Sequence, residues 1–132
     1  MRFLITFDPD EDLIHLSARI IGPFGSANAR LAFDTGATIT MIGKGILEAL
    51  GYDIKTADEI SIITGSRIET VKELIVLEIH AIDRAVKNMT VICHDLPEES
   101  GLDGLLGLNF LRHFDTEINY SNNTLILKPI FL

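Results

Sequence analysis

The strongest constraint on the fold is an alternation of apolar and polar side chains that recurs in short runs separated by turn residues. From Leu13 to Ile21, every second position is apolar, which is the period of a strand with one buried face. The segment Gly22 to Ser26 is rich in turn residues, and the alternation then resumes up to Phe33. These two runs predict a β-hairpin near the start of the chain.

The remainder of the chain continues this pattern of short β-prone segments. These segments are Thr38 to Ile42, Ile60 to Ile63, Ile68 to Ile82, Met89 to Cys93, Thr116 to Tyr120 and Thr124 to Leu127. Apolar positions from Ile42 to Leu50 recur at helical spacing and predict one short helix that ends at Gly51, and Leu108 to Phe114 predicts a second. Many short strands with one or two short helices predict an all-β fold, either a small barrel or a sandwich.

Length and composition limit the classes of function. The 132 residues, 47% hydrophobic and 23% charged, predict one domain over residues 1–132 with a core of its own. The net charge of −8, with 11 basic residues dispersed along the chain, argues against a nucleic-acid partner. No apolar stretch approaches the ~20 residues of a membrane helix, and the acidic residues after Phe7 do not suit a signal peptide. Together with a single cysteine, Cys93, these features predict a cytoplasmic protein.

The tripeptide Asp34-Thr35-Gly36 follows directly after the strand that ends at Phe33. A strand end is a rigid mount for a carboxylate, and a glycine two residues later lets backbone N–H groups and a ligand come close to it. Asp and Gly are also ordinary turn residues. Alone, the tripeptide therefore fits a catalytic carboxylate and a simple turn about equally well.

A second motif lies near the carboxyl end of the chain. Leu105-Leu106-Gly107 is followed by Asn109-Phe110-Leu111, so that two large apolar residues precede a glycine and a short helix. Together with Phe33-Asp34-Thr35-Gly36-Ala37, this motif resembles the retropepsin-like aspartic proteases, the single-lobe relatives of the retroviral proteases and of pepsin. The order and spacing of the two motifs, and a hairpin at Thr64-Gly65-Ser66 between them, extend the resemblance over nearly the whole chain.

The resemblance implies a closed acid-protease β-barrel with a flap hairpin and the activity of an aspartic endopeptidase. Asp34 would be the catalytic carboxylate, Thr35 would lock two active-site loops together, and Gly36 would shape the backbone that faces the substrate. An extended peptide would pair with the flap and the active-site strands, with Ile68 among the apolar walls of its side-chain pockets. The residues assigned to substrate on this basis are Ala37, Thr38, Ile62, Ile63, Thr64, Gly65 and Ser66.

The chemistry of such a site needs two carboxylates beside one water, one as base and the other as acid. The chain does not supply the second one, because Asp115-Thr116 continues with Glu117 where glycine is needed and Asp103-Gly104 lacks the intervening threonine. One domain with one Asp-Thr-Gly therefore implies that Asp34 of a second copy completes the site across a two-fold axis. The expected partners are a second copy of the chain and a peptide or protein substrate.

Both ends of the chain are apolar and β-prone, from Phe3 to Phe7 and from Ile130 to Leu132. In the retroviral relatives the terminal strands of two copies interleave into one sheet. The same arrangement is open to this chain, and so is the alternative in which these residues close the barrel of their own chain. Pro129 restricts any such strand to a short one or to a sheet edge, because proline has no N–H to donate.

The chain departs from the retroviral pattern at Thr38 and Leu108. At these places the retroviral proteases carry an Asp and an Arg, which form an ion pair near the substrate. Both charges are missing together here, so no buried charge is left without a partner. The fold prediction is unaffected, but the substrate specificity of the viral enzymes is not transferred to this chain.

Other functions are also compatible with the residues. A catalytically silent module of the same fold would bind peptides or only dimerise, although the intact Asp34-Thr35-Gly36 favours the enzyme. A glycosidase that uses Asp34 and Asp103 would leave the second motif without a packing role. The four histidines occur singly, and neither Cys93 nor the acidic segment Asp8 to Asp12 has the spacing of a metal site, so we expect no metal and no cofactor.

Overall fold

The computed structural model describes residues 1–131, and Leu132 of the predicted C-terminal strand lies outside the described residues. Within this range the chain forms ten strands and two short helices. The strands are β1 (Phe3–Thr6), β2 (His15–Gly22), β3 (Gly25–Phe33), β4 (Thr40–Ile42), β5 (Asp58–Thr64), β6 (Arg67–Ala81), β7 (Arg84–Cys93), β8 (Gly104–Leu106), β9 (Phe114–Asn119) and β10 (Thr124–Pro129). The helices are α1 (Lys44–Ala49) and α2 (Leu108–Leu111), and a single 3₁₀ turn covers Glu98–Ser100.

Strands β2 and β3 form the predicted hairpin. Leu16, Ala18 and Ile20 are buried on one face of β2, while Ser17 and Arg19 between them are exposed. The two strands pair along their whole length, from His15 opposite Ala32 to Gly22 opposite Gly25. The alternation in the sequence therefore marks the face that covers the core.

Six strands close into a barrel, which confirms the all-β prediction and decides for a barrel over a sandwich. The hydrogen-bonded order is β2-β3-β8-β4-β7-β6, and β6 returns to β2 through the pair Ile20 and Ile79. The side chains of Ile20, Leu31 and Val76 have no exposed surface and lie in the core of this barrel. Strand β5 pairs with β6 outside the closed part, so that β6 serves three ladders.

A parallel pairing inside the barrel brings the two sequence motifs together. Strand β8 lies between β3 and β4, parallel to β3 with Phe33 opposite Leu106, and antiparallel to β4 with Met41 opposite Leu105. Because parallel neighbours end on the same side, Asp34 after β3 lies next to Gly107 after β8. This pairing fixes the position of Asp34-Thr35-Gly36 relative to the second motif.

The two ends of the chain pair with each other in a separate three-stranded sheet of order β1-β10-β9. Strand β1 runs antiparallel to β10, with Phe3 opposite Leu127 and Thr6 opposite Thr124. The N-terminal segment thus pairs within its own chain, in a sheet of its own beside the barrel, whereas Ile130 and Phe131 of the predicted C-terminal strand follow β10 and belong to no strand. Leu125 and Leu127 are fully buried, so this sheet shares the core of the barrel.

The two helices cover the barrel and are short. Leu47 of α1 is fully buried, and the helix ends before Gly51, whose φ of +94° fits its predicted role as C′ residue. Helix α2 buries Phe110 and Leu111 and is shorter than the predicted segment Leu108 to Phe114, because Phe114 already belongs to β9. Within residues 1–131, no helix has the length and apolar character that crossing a membrane requires.

Candidate active site

Asp34 is held by backbone hydrogen bonds at the point where β3 ends. Its N–H donates to the carbonyl oxygen of Leu106 at 3.1 Å, which attaches the residue to the end of β8. Its carboxylate oxygen Oδ1 accepts the N–H of Gly36 at 2.8 Å, and the N–H of Ala37 donates to the Asp34 carbonyl at 3.3 Å. Asp34 is half-buried. The tight turn thus orients the carboxylate and leaves its second oxygen without a hydrogen bond within the described chain.

Gly107 allows the second motif to support the loop after Asp34. A Cβ atom on Gly107 would lie 2.8 Å from the carbonyl oxygen of Ala37 and 2.9 Å from the carbonyl carbon of Ile39. The backbone continues the contact, because Leu108 N–H donates to that Ala37 oxygen at 2.8 Å. The glycine therefore permits a close approach of two loops that any side chain would prevent.

Thr40 and Asn109 form a buried hydrogen-bond network behind the same loop. The Thr40 hydroxyl donates to Asn109 Oδ1 at 2.8 Å and accepts the N–H of Gly107 at 3.0 Å. Asn109 Oδ1 also accepts the Thr40 N–H at 3.0 Å, while its Nδ2 donates to the carbonyl of Thr90 at 2.7 Å. The network connects β4, α2 and β7. Sequence analysis placed Thr40 in a β-prone segment and Asn109 in the second motif, but assigned neither of them this role.

The residues after Asp34 differ in exposure. Thr35, Gly36 and Thr38 are exposed, whereas Ala37 is half-buried. Thr35 lines a groove of about 590 Å³ together with Phe33 and with apolar side chains from the terminal sheet and the segment before β2. These side chains are Phe7, Leu13, Ile14, Ile118 and Tyr120. In a single chain, Thr35 thus has no partner loop to lock and faces an open groove, which the acidic residues Asp8, Glu11 and Asp12 line as well as the apolar ones.

The hairpin of β5 and β6 corresponds to the predicted flap. Thr64 pairs with Arg67 across the two-residue turn Gly65-Ser66, and Gly65 has a φ of +60°, as the first central residue of a type II′ turn requires. Ile63 and Ile68 lie opposite each other near the tip and are 79% and 76% exposed, whereas Ile62 is half-buried. In the part of the chain that the structure describes, no hydrogen bond joins Thr64–Arg67 to the loop after Asp34.

The carboxylate of Asp103 accepts a hydrogen bond from the backbone of the barrel. Its Oδ2 accepts the N–H of Arg30 at 2.8 Å, and its own N–H donates to the Arg30 carbonyl at 2.8 Å. Its carbonyl oxygen accepts the N–H of Gly43 at 2.9 Å. Asp103 therefore connects the backbone of β3 with the residue after β4, which favours a structural role for it over that of a second catalytic acid.

Outside this region, the ionisable groups do not form an evident reactive centre. Burial raises the pKa of the Cys93 thiol, and the nearby Asp95 carboxylate adds to the effect, so the thiol is less reactive than a free cysteine. The nearby His94 Nε2 lies 4.0 Å from Glu69 Oε2, at the base of the flap. Among residues 1–131, no cluster of three or more His, Cys, Asp or Glu side chains is arranged to hold a metal ion.

Comparisons with known proteins agree on one family and one fold. A family model described as "gag-polyprotein putative aspartyl protease" matches residues 22–113, which include both motifs and the flap hairpin. A retropepsin-like aspartic protease from Rickettsia conorii superimposes with a TM-score of 0.73 at 20% identity, covering 96% of this chain and 89% of that one. No curated protein sequence matches the chain.

Two further solved structures share the fold at lower similarity. The retroviral protease-like domain of Ddi1 from Leishmania major has a TM-score of 0.54 at 15% identity and covers 89% of this chain and 90% of its own. The EIAV protease in complex with the inhibitor HBY-793 has a TM-score of 0.52 at 19% identity and covers 82% of this chain and 92% of its own. At these identities the likeness concerns the fold.

Proposed function

The chain belongs to the gag-polyprotein aspartyl protease family and has the retropepsin-like fold, and we propose that it is an aspartic endopeptidase active as a homodimer. The observation that carries the proposal is the orientation and partial burial of the Asp34 carboxylate. The carboxylate is oriented by the 2.8 Å hydrogen bond from Gly36 and half-buried at the rigid end of β3, and its second oxygen is free to bind a water. A general base needs this combination of fixed geometry and an available lone pair.

The reaction requires a second carboxylate within hydrogen-bond distance of the same water. Two carboxylates so close together cannot both be ionised, and aspartic proteases are the standard example of a pair that shares one proton. The ionised member removes a proton from the water, which attacks the peptide carbonyl carbon. The protonated member donates its proton to the carbonyl oxygen, and a proton then passes to the departing amine.

A second copy of the chain is the proposed source of the other carboxylate. The Asp103 carboxylate already accepts a hydrogen bond from the backbone N–H of Arg30, and Asp115 is exposed on β9. Neither carboxylate therefore has the orientation and burial that Asp34 has. A two-fold axis beside Asp34 would bring the two Asp34 carboxylates together and place the exposed Thr35 of each copy against the other loop. Thr35 would then lock the two loops, as the family resemblance implies.

The flap hairpin is the proposed cover of the substrate. An extended peptide would lie between the loop at Ala37 and Thr38 and the hairpin tip at Thr64, Gly65 and Ser66, and would add its backbone to their strands. The exposed Ile63 and the half-buried Ile62 would contact apolar side chains of the peptide. We therefore expect cleavage next to apolar residues in extended segments.

One pair of variants tests the activity. Asp34→Asn keeps the size of the side chain but removes the base, so we expect it to abolish cleavage of an unfolded protein or a peptide library, with products identified by mass spectrometry. Asp83→Asn is the matched control, because Asp83 is exposed in the turn between β6 and β7 and asparagine tolerates its φ of +56°. Cleavage by the control alone supports the enzyme. Equal cleavage by both variants, or none by the wild type at any concentration, would favour the catalytically silent module.

We also propose the domain organisation and the cellular location of the chain. We propose one domain over residues 1–132, because the terminal sheet and the barrel share buried side chains such as Leu125 and Leu31. A cytoplasmic location stays a prediction from the single cysteine Cys93 and the acidic segment after Phe7. Cell fractionation with an antibody against the chain tests the location.

A further inference from the structure

We propose that a cavity at the base of the flap hairpin binds a small organic anion with an apolar chain, such as an aliphatic carboxylate. The cavity has a volume of about 470 Å³, which is within the usual range for small-molecule sites. It lies between β6 at Glu69 to Lys72, the start of α1, the segment before β5 and the end of β7. None of residues 34–38 is among its described lining residues, so this cavity is separate from the loop after Asp34.

Three lysines from distant parts of the sequence meet at this cavity. Lys44 begins α1, Lys55 lies between α1 and β5, and Lys72 is on β6. Four other grooves, of about 310 to 590 Å³, are lined by acidic residues and by no lysine or arginine of the described chain. In a chain with a net charge of −8, the cavity is therefore a local positive region, which attracts anions.

The three lysines differ in how their ammonium groups are held. Lys72 Nζ donates to the carbonyl oxygens of Ala57 and Lys55 at 3.2 and 3.4 Å and lies 3.3 Å from Glu59 Oε1. Lys44 and Lys55 are exposed, and neither forms an ion pair within residues 1–131. The ammonium groups of Lys44 and Lys55 are therefore the proposed partners of the anion.

Two carboxylates also line the cavity, and each already has a partner. Glu69 Oε2 lies 4.0 Å from His94 Nε2, and Asp95 Oδ1 accepts the backbone N–H of Lys44 at 2.9 Å. Three lysines against two carboxylates leave an excess of positive charge in the lining. The thiol of Cys93 is close enough to respond to these charges, because burial and Asp95 raise its pKa and Lys44 lowers it. An anion bound beside Cys93 would thus be attracted by Lys44.

Apolar side chains form another part of the wall. Ile54 and Val71 are only 7% and 8% exposed, so they are held in place by the packing around them, and Cys93 is half-buried. An inorganic anion would leave this apolar surface uncovered, whereas an alkyl chain would remove it from water. The lining therefore favours a ligand with one charged end and an apolar chain.

Cys93 provides a measure of occupancy, because it is the single cysteine of the chain. Its alkylation by iodoacetamide can be followed by the mass of the intact protein. We expect octanoate to slow this reaction, whereas acetate lacks the apolar chain and octylammonium has the wrong charge, so neither should protect the thiol. By calorimetry, affinity should rise by about twofold to fourfold for each CH₂ added from butanoate to octanoate. It should fall as salt is added.

A pair of variants tests the two proposed lysines. Lys44→Gln combined with Lys55→Gln removes two exposed charges and keeps the length of the side chains nearly unchanged, so we expect octanoate to bind about tenfold more weakly. Lys87→Gln removes an exposed lysine of β7 that does not line the cavity. This matched control should bind octanoate as the wild type does.

Several outcomes would overturn the proposal. These are equal protection of Cys93 by octylammonium and octanoate, and unchanged octanoate binding in the double variant. Protection by a hexaglutamate peptide without protection by octanoate would assign the cavity to an acidic protein segment and also overturn it. None of these measurements requires cleavage, so the result does not depend on the proposed peptidase activity. Asp34→Asn should accordingly bind octanoate with the affinity of the wild type.

Discussion

The hydroxyl of Thr40 lies between the two motifs of the candidate site, 2.8 Å from Asn109 Oδ1 and 3.0 Å from the backbone nitrogen of Gly107. Thr40 is fully buried and both of its hydroxyl hydrogen bonds are made to groups of the second motif. The loop that starts at Asp34 is therefore attached to the second motif from behind as well as through the Asp34 N–H and the Leu106 carbonyl. Through these two attachments, packing in the core determines the position of the Asp34 carboxylate.

Thr40→Val tests this attachment. Valine has nearly the same shape, but it leaves the buried N–H of Gly107 without an acceptor, so we expect the free energy of unfolding to fall by about 1–3 kcal/mol. Urea unfolding measures the change. Thr70→Val on the exposed face of β6 is the matched control and should stay within about 0.5 kcal/mol of the wild type. An equal effect of the two substitutions would contradict a structural role for the hydroxyl.

Gly107→Ala tests the close approach of the two loops. The new Cβ would overlap backbone atoms of Ala37 and Ile39, so we expect a loss of about 1–3 kcal/mol in stability together with reduced cleavage. Gly45→Ala serves as the control, because nothing lies within 4 Å of its Cβ position and alanine favours the helix α1. This control should gain roughly 0.5–1 kcal/mol. Thermal unfolding of the two variants should shift in opposite directions.

Substitution of Thr35 distinguishes effects on the stability of the monomer from effects on dimer formation. Its side chain is exposed in the single chain, so Thr35→Ala should change the free energy of unfolding of the monomer by less than about 0.5 kcal/mol. The same substitution should weaken dimerisation and lower activity, because the contact between the two loops is lost. Thr35→Ser keeps the hydroxyl and should restore both. Sedimentation velocity and activity over a dilution series would reveal an unaffected dimer, which would refute the role of Thr35.

Ile63 tests the flap. Because Ile63 is 79% exposed, Ile63→Ser should leave the stability unchanged, but it removes an apolar surface that the substrate would bury. Burial of such a side chain contributes about 1.5–3 kcal/mol, so we expect kcat/KM to fall by about tenfold to a hundredfold. Ile75→Ser on β6, where the isoleucine is 62% exposed away from the hairpin tip, is the control. Equal kcat/KM values for the two variants would show that Ile63 does not contact substrate.

Local patterns predict the parts of the fold that depend on neighbouring residues. The hairpin up to Phe33, the end of α1 at Gly51 and the turn at Gly65 all follow from alternation or from glycine in a required conformation. The turn between β6 and β7 was missed because it lies at Ile82 and Asp83, which have φ of +53° and +56° without a glycine or asparagine to indicate it. As a result the first half of β7, from Arg84, was not predicted.

Long-range pairing is harder to predict for a physical reason. The apolar, β-prone sequence of β1 predicts a strand, but the backbone groups at the edge of that strand can pair equally well with a strand of the same chain or of another. The network of Thr40 and Asn109 is similarly hard to predict, because a half-buried asparagine can find a hydrogen-bond donor or acceptor on many neighbouring elements. The motif Asp34-Thr35-Gly36 is recognisable because the proposed function requires a particular order of residue types. The hydrogen bonds that support the motif require only a donor and an acceptor at the right positions, so several residue types could supply them.

The pairing of β1 with β10 has a consequence for how such a protein would be controlled. When two copies share their terminal strands, folding itself depends on the protein concentration. Here β1 and β10 complete the core within one chain, so we expect the protein to stay folded below the dissociation constant of the dimer, where the melting temperature no longer changes on dilution and the population of dimers falls with the square of the concentration. At low concentration this protein would be a folded, stable and inactive monomer. The local concentration of the copies would then control the activity.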